Sequence, residues 1–541
     1  MRVLGINAVF HDPAAALVVD GEIVAAAEEE RFTRRKHGKA PVPFSTWELP
    51  ERAARWCLAH AGIGPEDLDA VAYSYEPRLA SPPGRDITAH GWEGLRTLYA
   101  QRAPLFLRAA LPGLDPERVR FVPHHVAHAA SAYLAAPAET SSVLVLDGRG
   151  ERASHLAGRA LDGELKILAI QRLPHSLGLV YEEVTQHLGF ARSSDEYKVM
   201  ALAAYGRPRF LPGLRELVRT TAEGGFETHP IDWASFAPPA RHEAWDECHA
   251  DLAASVQARL QEVLLDLARW LHDQTGDADL TMAGGVALNC VANSFLAERG
   301  PFARVWVQPA AGDAGTALGA ALYIAHGLGD PIAPMRTAAL GRGWSDDELG
   351  AWLRAARVAH ERPEDVAEAA ADVLADGGIV AWFQGRSEFG PRALGHRSLL
   401  ASPARRETLT RLNDVKGREQ FRPVAPMVRL ERAAEIFDGP LPSPYMLFTH
   451  RVRPAWRDRI PAVVHVDGTA RVQTVDPLDE PLVARLLTAF ELRTGLPVLV
   501  NTSLNTAGRP MVDDPRDALE CFGSAPVDAL AMGPYLVRRP R

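Results

Sequence analysis

A chain of 541 residues exceeds one ordinary hydrophobic core, so two to four domains are expected. Its composition, 47% hydrophobic and 23% charged, is globular, and a formal net charge of −9 lacks the basic excess with which a protein grips nucleic acid through phosphates. Four cysteines without a C-x-x-C pair exclude a cysteine zinc finger and a disulfide framework, and no apolar run reaches the ~18 residues of a membrane span, so a cytoplasmic protein with no nucleic-acid and no membrane partner is expected.

The opening MRVLGINAVFHD has no basic region leading into a long apolar run and reads as a buried strand over 2–6 rather than a signal peptide. In AAALVVDGEIVAAAEEER two apolar stretches meet at Asp20-Gly21, a type I′ hairpin signal. PHHVAHAASAYL, residues 123–134, places His124, His125 and His128 at a helix start. SSVLVLDGRG is a strand ending at Asp147, and SHLAGRALDGELKILAI carries a second hairpin signal at Asp162-Gly163. From Asn7 to Asp20 is 13 residues and from Asp147 to Asp162 is 15, so two similar units point to an internal duplication. LTMAGGVALNCVANSFL, 280–296, reads as strand, Gly-Gly turn and helix, and 304–327 repeats that plan around Gly312-Asp313-Ala314-Gly315. Such turns bring backbone N–H groups and a helix N-terminus toward a phosphate. GDPIAPMRTAALGRGWSDDELG, 329–350, is rich in Pro, Gly and polar residues and reads as a linker. A new α/β pattern follows, with a helix over 364–376, a strand in GGIVAWFQG, and strands near 462–475 and 497–501. Two domains, 1–340 and 341–541, are expected.

His124 and His128 are four apart and share one face of a helix, as metal ligands must. Asp147 and Asp313 sit where strand ends meet helix starts, the usual site location in α/β folds. Spacing alone leaves two readings open, a metal site or a helix-start histidine cluster beside two turn aspartates. His11 follows the first strand directly and can point into a cleft as a base, or serve only its turn. Between 386 and 422 eight arginines and one lysine face four acids, in a chain that is acidic as a whole. Arginine forks match phosphate and carboxylate oxygens bidentately. The stretch 404–411 reads as a solvated helix face, whereas Arg392, Arg397, Lys416 and Arg422 sit among Gly-Pro and apolar strands, as in the wall of an anion pocket.

The stretches VLGINAVFHDPAAALVVDG, AAAEEERFTRRKHG, HHVAHAASAY, LVLDGRGE, YKVMALAAYG, MAGGVALN, GDAGTALGAA, GPRALGHRSLL, FRPVAPMV and LVNTSLN run in order from residue 3 to residue 505. Together they resemble the NodU/CmcH family of O-carbamoyltransferases. The resemblance implies an α/β protein of two modules. The first is a duplicated RNase-H-like fold, the actin-like ATPase (ASKHA) fold also used by tRNA threonylcarbamoyl-transfer enzymes, and the second is a YrdC-like module. It implies His124, His128, Asp147 and Asp313 as ligands of iron(II) or another divalent metal, with His125 pointing elsewhere. His11 would be the base, and Lys36, Gly178 and Asn289 would hold a carbamoyl adenylate. Arg392, Arg397, Lys416, Arg422, Arg471, Asn501 and Ser503 would bind carbamoyl phosphate and ATP, the latter with Mg. The final partner implied is a small hydroxylated acceptor; its lobe, roughly 75–120 and 175–250, contains aromatics and charges (Tyr73, Tyr75, Trp92, Trp233 and Trp245) without a readable code for which acceptor it takes. Three rivals fit less well. A tRNA-modifying enzyme needs an RNA face that the charge disfavours. A hydrogenase-maturation carbamoyltransferase carries paired cysteines that are absent here. An ATP-binding scaffold leaves the metal set and the arginine pocket without a purpose.

Overall fold

The structure is a computed structural model that describes residues 1–38, 48–80, 87–241 and 244–539, the side chains of 87–93 excepted. Trp92 therefore lies outside the described residues as a side chain. The chain divides into two compact units, Met1–Met335 and Arg336–Arg541.

The first unit is built twice on one plan. Strands β1 (Arg2–Asn7), β2 (Ala14–Val19), β3 (Glu22–Glu28), β4 (Ala70–Tyr73) and β5 (Val119–Phe121) form a sheet in the order β3-β2-β1-β4-β5. The first three are antiparallel neighbours, and β4 and β5 add in parallel. After β6 (Thr140–Leu146), β7 (Ala153–Leu161) and β8 (Glu164–Arg172) comes a small hairpin, β9 (Val218–Thr220) with β10 (Phe226–Thr228). Then β11 (Asp279–Ala283) and β12 (Arg304–Val307) complete the sheet β12-β11-β6-β7-β8, with the same pattern of antiparallel and parallel pairing. The fold is thus a duplicated RNase-H-like α/β arrangement. Both hairpin signals hold. Asp20 and Gly21 have φ of 51° and 82°, and Asp162 and Gly163 have 51° and 79°, the two positive values a type I′ turn needs.

Each half sends a helix out of its fifth strand, His124–Tyr133 and Ala314–Gly327. These two helices pack against each other at very close range. A Cβ on Gly319 would lie 1.8 Å from the carbonyl oxygen of Ala127, and one on Gly5 would lie equally near that of Ala317. Glycine and alanine therefore fix how near the two helices and β1 approach. Tyr73 and Tyr75, named above among the aromatics of the acceptor lobe, are buried in the core of the first half beside Leu4 and Ile6. Tyr73 ends β4, which is buried along its whole length, and Tyr75 lies just beyond it, so neither carries the polar–apolar alternation that would mark a half-exposed strand in sequence.

The second unit holds a mixed seven-stranded sheet and a small three-stranded one of Phe437–Asp438, His450–Val452 and Thr469–Ala470. The order of the larger is Gln473–Val475, Ala425–Arg429, Val498–Ser503, Arg397–Ala401, Val380–Phe383, Ala529–Met532 and Tyr535–Arg538. Helices Val366–Ala375 and Pro481–Thr494 pack together on it. The linker reading of 329–350 is corrected at its end, where Asp346–Ala355 is a helix. Ser345 and Glu348 form its capping box, each side chain accepting the other's backbone N–H. The expected strand region 462–475 shrinks to Thr469–Ala470 and Gln473–Val475, because Asp467-Gly468 makes a turn with Gly468 at φ 79°.

Candidate functional site

At the ends of the second half's first strand and of both fifth-strand connections, four side chains converge. His124 and His128 lie on the first two turns of their helix, Asp147 directly follows β6, and Asp313 is the residue before the 314–327 helix. One ligand atom from each lies within 4.8 Å of every other, and all four residues are buried. His124 Nε2 is 3.4 Å from Asp147 Oδ2 and 3.6 Å from Asp313 Oδ1, and His128 Nε2 is 3.9 and 3.5 Å from the same two oxygens. Donors bound about 2.0–2.2 Å from one cation stand roughly 3.0–3.5 Å apart; the 3.4 and 3.5 Å separations match that spacing, and the 3.6 and 3.9 Å ones are slightly wider.

The surroundings aim the set. His124 Nδ1 donates to the carbonyl of Ser74, 3.3 Å away, which leaves the Nε2 lone pair directed at the carboxylates. Both Nε2 atoms are buried and make no hydrogen bond. Asp147 Oδ1 accepts from Gly285 N at 2.9 Å, which turns the other oxygen toward the histidines. Burial opposes charge on His124, yet Asp147 and Asp313 raise its affinity for a proton well above the ordinary imidazole range, a pull toward positive charge at Nε2 that a cation would equally satisfy. For Asp147 and Asp313 the histidines likewise outweigh burial and keep both ionised. His125, between the two histidines, turns away: its Nδ1 lies where a side chain on Gly150 would stand. Burial, then His124, pushes it down to about 3.

The other residues expected in this unit fall around the same loops. Phe10, the residue before His11, sets its ring 5.3 Å from that of His124. Gly178 permits a close backbone approach, but to the chain itself: a Cβ there would meet Gly148 Cα at 2.7 Å. Beside it Ser176 caps its helix and donates to the carbonyl of Gly148 at 2.8 Å, so this corner fixes the Asp147 loop. Asn289 caps the 290–299 helix and exchanges hydrogen bonds with Gln257, which also accepts from Tyr181. Lys36 lies over the ring of Tyr197, 6.0 Å from its centroid. Sequence reasoning missed the partners of His11. Asp12 accepts from it at 2.8 Å and from His37 at 2.9 Å, and Ser194 bonds the far side of His37 at 2.8 Å. The His-Asp and Lys-His pairs are visible in sequence, whereas nothing local marks Ser194.

In the second unit the strand register gathers the expected residues at one end of the sheet. Ser503 pairs with Ser398, and Asn501 pairs with Leu400 and Ala425. Arg422 precedes the Ala425–Arg429 strand and Arg471 precedes Gln473–Val475 at that same end. Lys416 is buried, and its Nζ donates to the Ser503 hydroxyl at 3.0 Å and the Asn505 carbonyl at 3.3 Å. Burial, then Arg418 and Arg422, push its ammonium well below the ordinary lysine range. Asn501 donates to the carbonyl of Ala393 at 3.1 Å, next to Arg392. Arg397 differs from the rest: it is fully buried, and its guanidinium donates to four carbonyls, those of Gln384, His396, Arg342 and Gly385. Its visible work is to lock the loop. Glu388, which sequence reasoning passed over, does the same from the other side. One buried oxygen accepts from the N–H groups of Leu394, His396 and Arg397 at 2.6, 3.0 and 3.2 Å.

Comparison with known proteins agrees in both units. The family described as "Carbamoyltransferase N-terminus" matches residues 2–79 and 98–322, and "Carbamoyltransferase C-terminus" matches 371–539. Nodulation protein NolNO of Sinorhizobium fredii is 39% identical over 98% of this chain and 80% of its own length. Nodulation protein U of Rhizobium tropici is 32% identical over 96% of this chain and 93% of its own. Among solved structures, HypF of T. kodakarensis is 14% identical at a TM-score of 0.34, over 61% of this chain and 48% of that one.

Proposed function

The chain belongs to the carbamoyltransferase family, and from that premise we propose that it is an ATP-dependent O-carbamoyltransferase working in two half-reactions. The observation that carries the reading is the presence, in one carbamoyltransferase chain, of a buried two-histidine, two-aspartate cluster in the first unit and an arginine–lysine sheet end in the second.

A carbamoyl group is a poor electrophile, because its nitrogen donates into the carbonyl, so it must carry a good leaving group. In the second unit carbamoyl phosphate is hydrolysed, water supplying the added oxygen and its protons, to carbamate and phosphate. The carbamate oxygen then attacks the α-phosphate of ATP, supplied with Mg, giving carbamoyl adenylate and pyrophosphate. Arg392 and Arg422 clamp phosphate oxygens, Lys416 neutralises the developing charge, and Arg471, Asn501 and Ser503 complete the pocket. In the first unit Lys36, Gly178 and Asn289 hold the adenylate. His11 takes the proton of an acceptor hydroxyl while the oxygen attacks the carbamoyl carbon and AMP departs. The cluster of His124, His128, Asp147 and Asp313 has the imidazole and carboxylate donors that suit iron(II) or a similar divalent cation. That cation would supply Lewis acidity and offset charge on the departing phosphate. The acceptor is a hydroxylated small molecule, in keeping with the absence of a basic excess.

Incubating the chain with ATP and labelled carbamoyl phosphate tests this. Pyrophosphate should appear only when carbamoyl phosphate is present, together with labelled carbamoyl adenylate. ADP and phosphate without pyrophosphate would contradict it.

A further inference from the structure

His11 and Asp12 are consecutive, and both face His37 from a loop held in an uncommon shape. Asp12 and His37 have φ of 44° and 62°, in the left-handed region where Asp, Asn and His are the tolerated side chains after Gly. The Asn7 amide donates to the carbonyls of His11 and Asp12 at 2.7 and 3.0 Å, so the end of β1 fixes the turn. The Asp12 carboxylate spans two imidazoles, with Oδ2 2.8 Å from His11 Nδ1 and Oδ1 2.9 Å from His37 Nδ1. The rings stand 4.4 Å apart, centroid to centroid. His37 is held in turn by Ser194 Oγ at Nε2 and by Glu30, which accepts its backbone N–H at 2.8 Å.

Against the cost of burial, the two imidazoles hold the Asp12 carboxyl well below the usual carboxylate range. An ionised carboxylate only accepts hydrogen bonds. Both Nδ1 atoms must therefore be the donors, and in the neutral His11 ring the basic lone pair falls on Nε2. We propose that Asp12, braced by His37 and Ser194, is the positioning residue that fixes His11 with its proton on Nδ1 and its basic atom at Nε2. The proposal rests on the reading of His11 as the base. In the transfer step the acceptor O–H bond breaks and its proton goes to Nε2. The oxygen's electron pair forms the bond to the carbamoyl carbon, the bond from that carbon to the phosphate oxygen breaks, and AMP leaves with its pair. The imidazolium so formed lies against the Asp12 charge and then releases its proton to water. Glu196, on the 196–203 helix, is the acidic group that also faces His11. The same three side chains could gather a cation. However, two hydrogen bonds of ordinary length already run from the ring nitrogens to the carboxylate, which is the pattern of an oriented base.

Asp12→Asn is the decisive variant, since Asn keeps the left-handed backbone and loses only the charge and the acceptor-only character. In the full chain, ¹⁵N spectra of the histidine rings should show His11 protonated at Nδ1, and protonated at Nε2 in Asp12→Asn. AMP release from pre-made carbamoyl adenylate, with water as the acceptor, should fall about 10²–10⁴-fold while thermal unfolding is unchanged. His37→Asn, also tolerated at positive φ, should lose about tenfold. Adding Asp12→Asn to His11→Asn should cost nothing further, because residues acting as a unit are not additive. An Nδ1-protonated His11 in Asp12→Asn, or a second bound metal ion that this variant loses, would overturn the proposal. Wild-type AMP release by His11→Asn would instead remove the base reading, and the proposal with it.

Discussion

Lys416 shows how one buried residue sets a pH dependence. Its ammonium sits among Ser503 and Asn505 with two arginines nearby, so it gives up its proton at a pH well below that of a free lysine. The charged form is the one that assists phosphate, and it is lost as pH rises through that lowered value. The kcat/KM for pyrophosphate release should therefore show an alkaline limb well below the ordinary lysine value of 10.5. In Lys416→Arg the limb should disappear, because a guanidinium stays protonated. A limb that persists in the arginine variant would assign it to another group. At this scale the sequence was informative where spacing carries chemistry. His124 and His128, four apart, meet on one helix face, and Asp147 and Asp313 close the set from strand ends. It was silent where the partner is remote or the role is internal. Ser194 reaches His37 across 157 positions, and Arg397 reads as an anion ligand until its guanidinium is seen spent on carbonyls.

The elements that position the cluster are the helices His124–Tyr133 and Ala314–Gly327, and their spacing depends on Gly319. A methyl group there would lie 1.8 Å from the Ala127 carbonyl, and a backbone atom cannot swing aside as a side chain can. Gly319→Ala should therefore push the helices apart, separate the histidines from Asp313, and cost roughly 1–3 kcal/mol of stability. Thermal unfolding and metal analysis together check this, with both unfolding temperature and bound metal expected to drop. Helix and hairpin positions were legible in the sequence because their signals are local. Asp20-Gly21 and Asp162-Gly163 mark turns that the structure contains. The helix Asp346–Ala355 was absorbed into a linker, because its Pro- and Gly-rich approach masked the capping box Ser345-x-x-Glu348. Glu388 clamps a loop through three backbone N–H groups, a role that leaves no periodic trace in a sequence.

For the whole molecule, the duplication was readable from two strand–hairpin units of like length, and the sheet orders bear it out. The long-range pairings were not readable. β1 pairs in parallel with β4 across more than sixty residues, and β6 with β11 across more than a hundred, with no local signal for either. No helix among the described residues is long and apolar enough to cross a membrane. The central claim is that the two units divide the reaction, the second making carbamoyl adenylate and the first spending it. The most direct test supplies the intermediate. Lys416→Ala and His128→Ala are each given pre-made carbamoyl adenylate, and AMP release is measured. Lys416→Ala, which should lose pyrophosphate release from carbamoyl phosphate and ATP along with roughly 1.5–3 kcal/mol of charge-assisted contact, should release AMP at close to the wild-type rate. His128→Ala should stay folded, lose its metal and release none above background. Equal failure of the two variants on the pre-made adenylate would contradict the division.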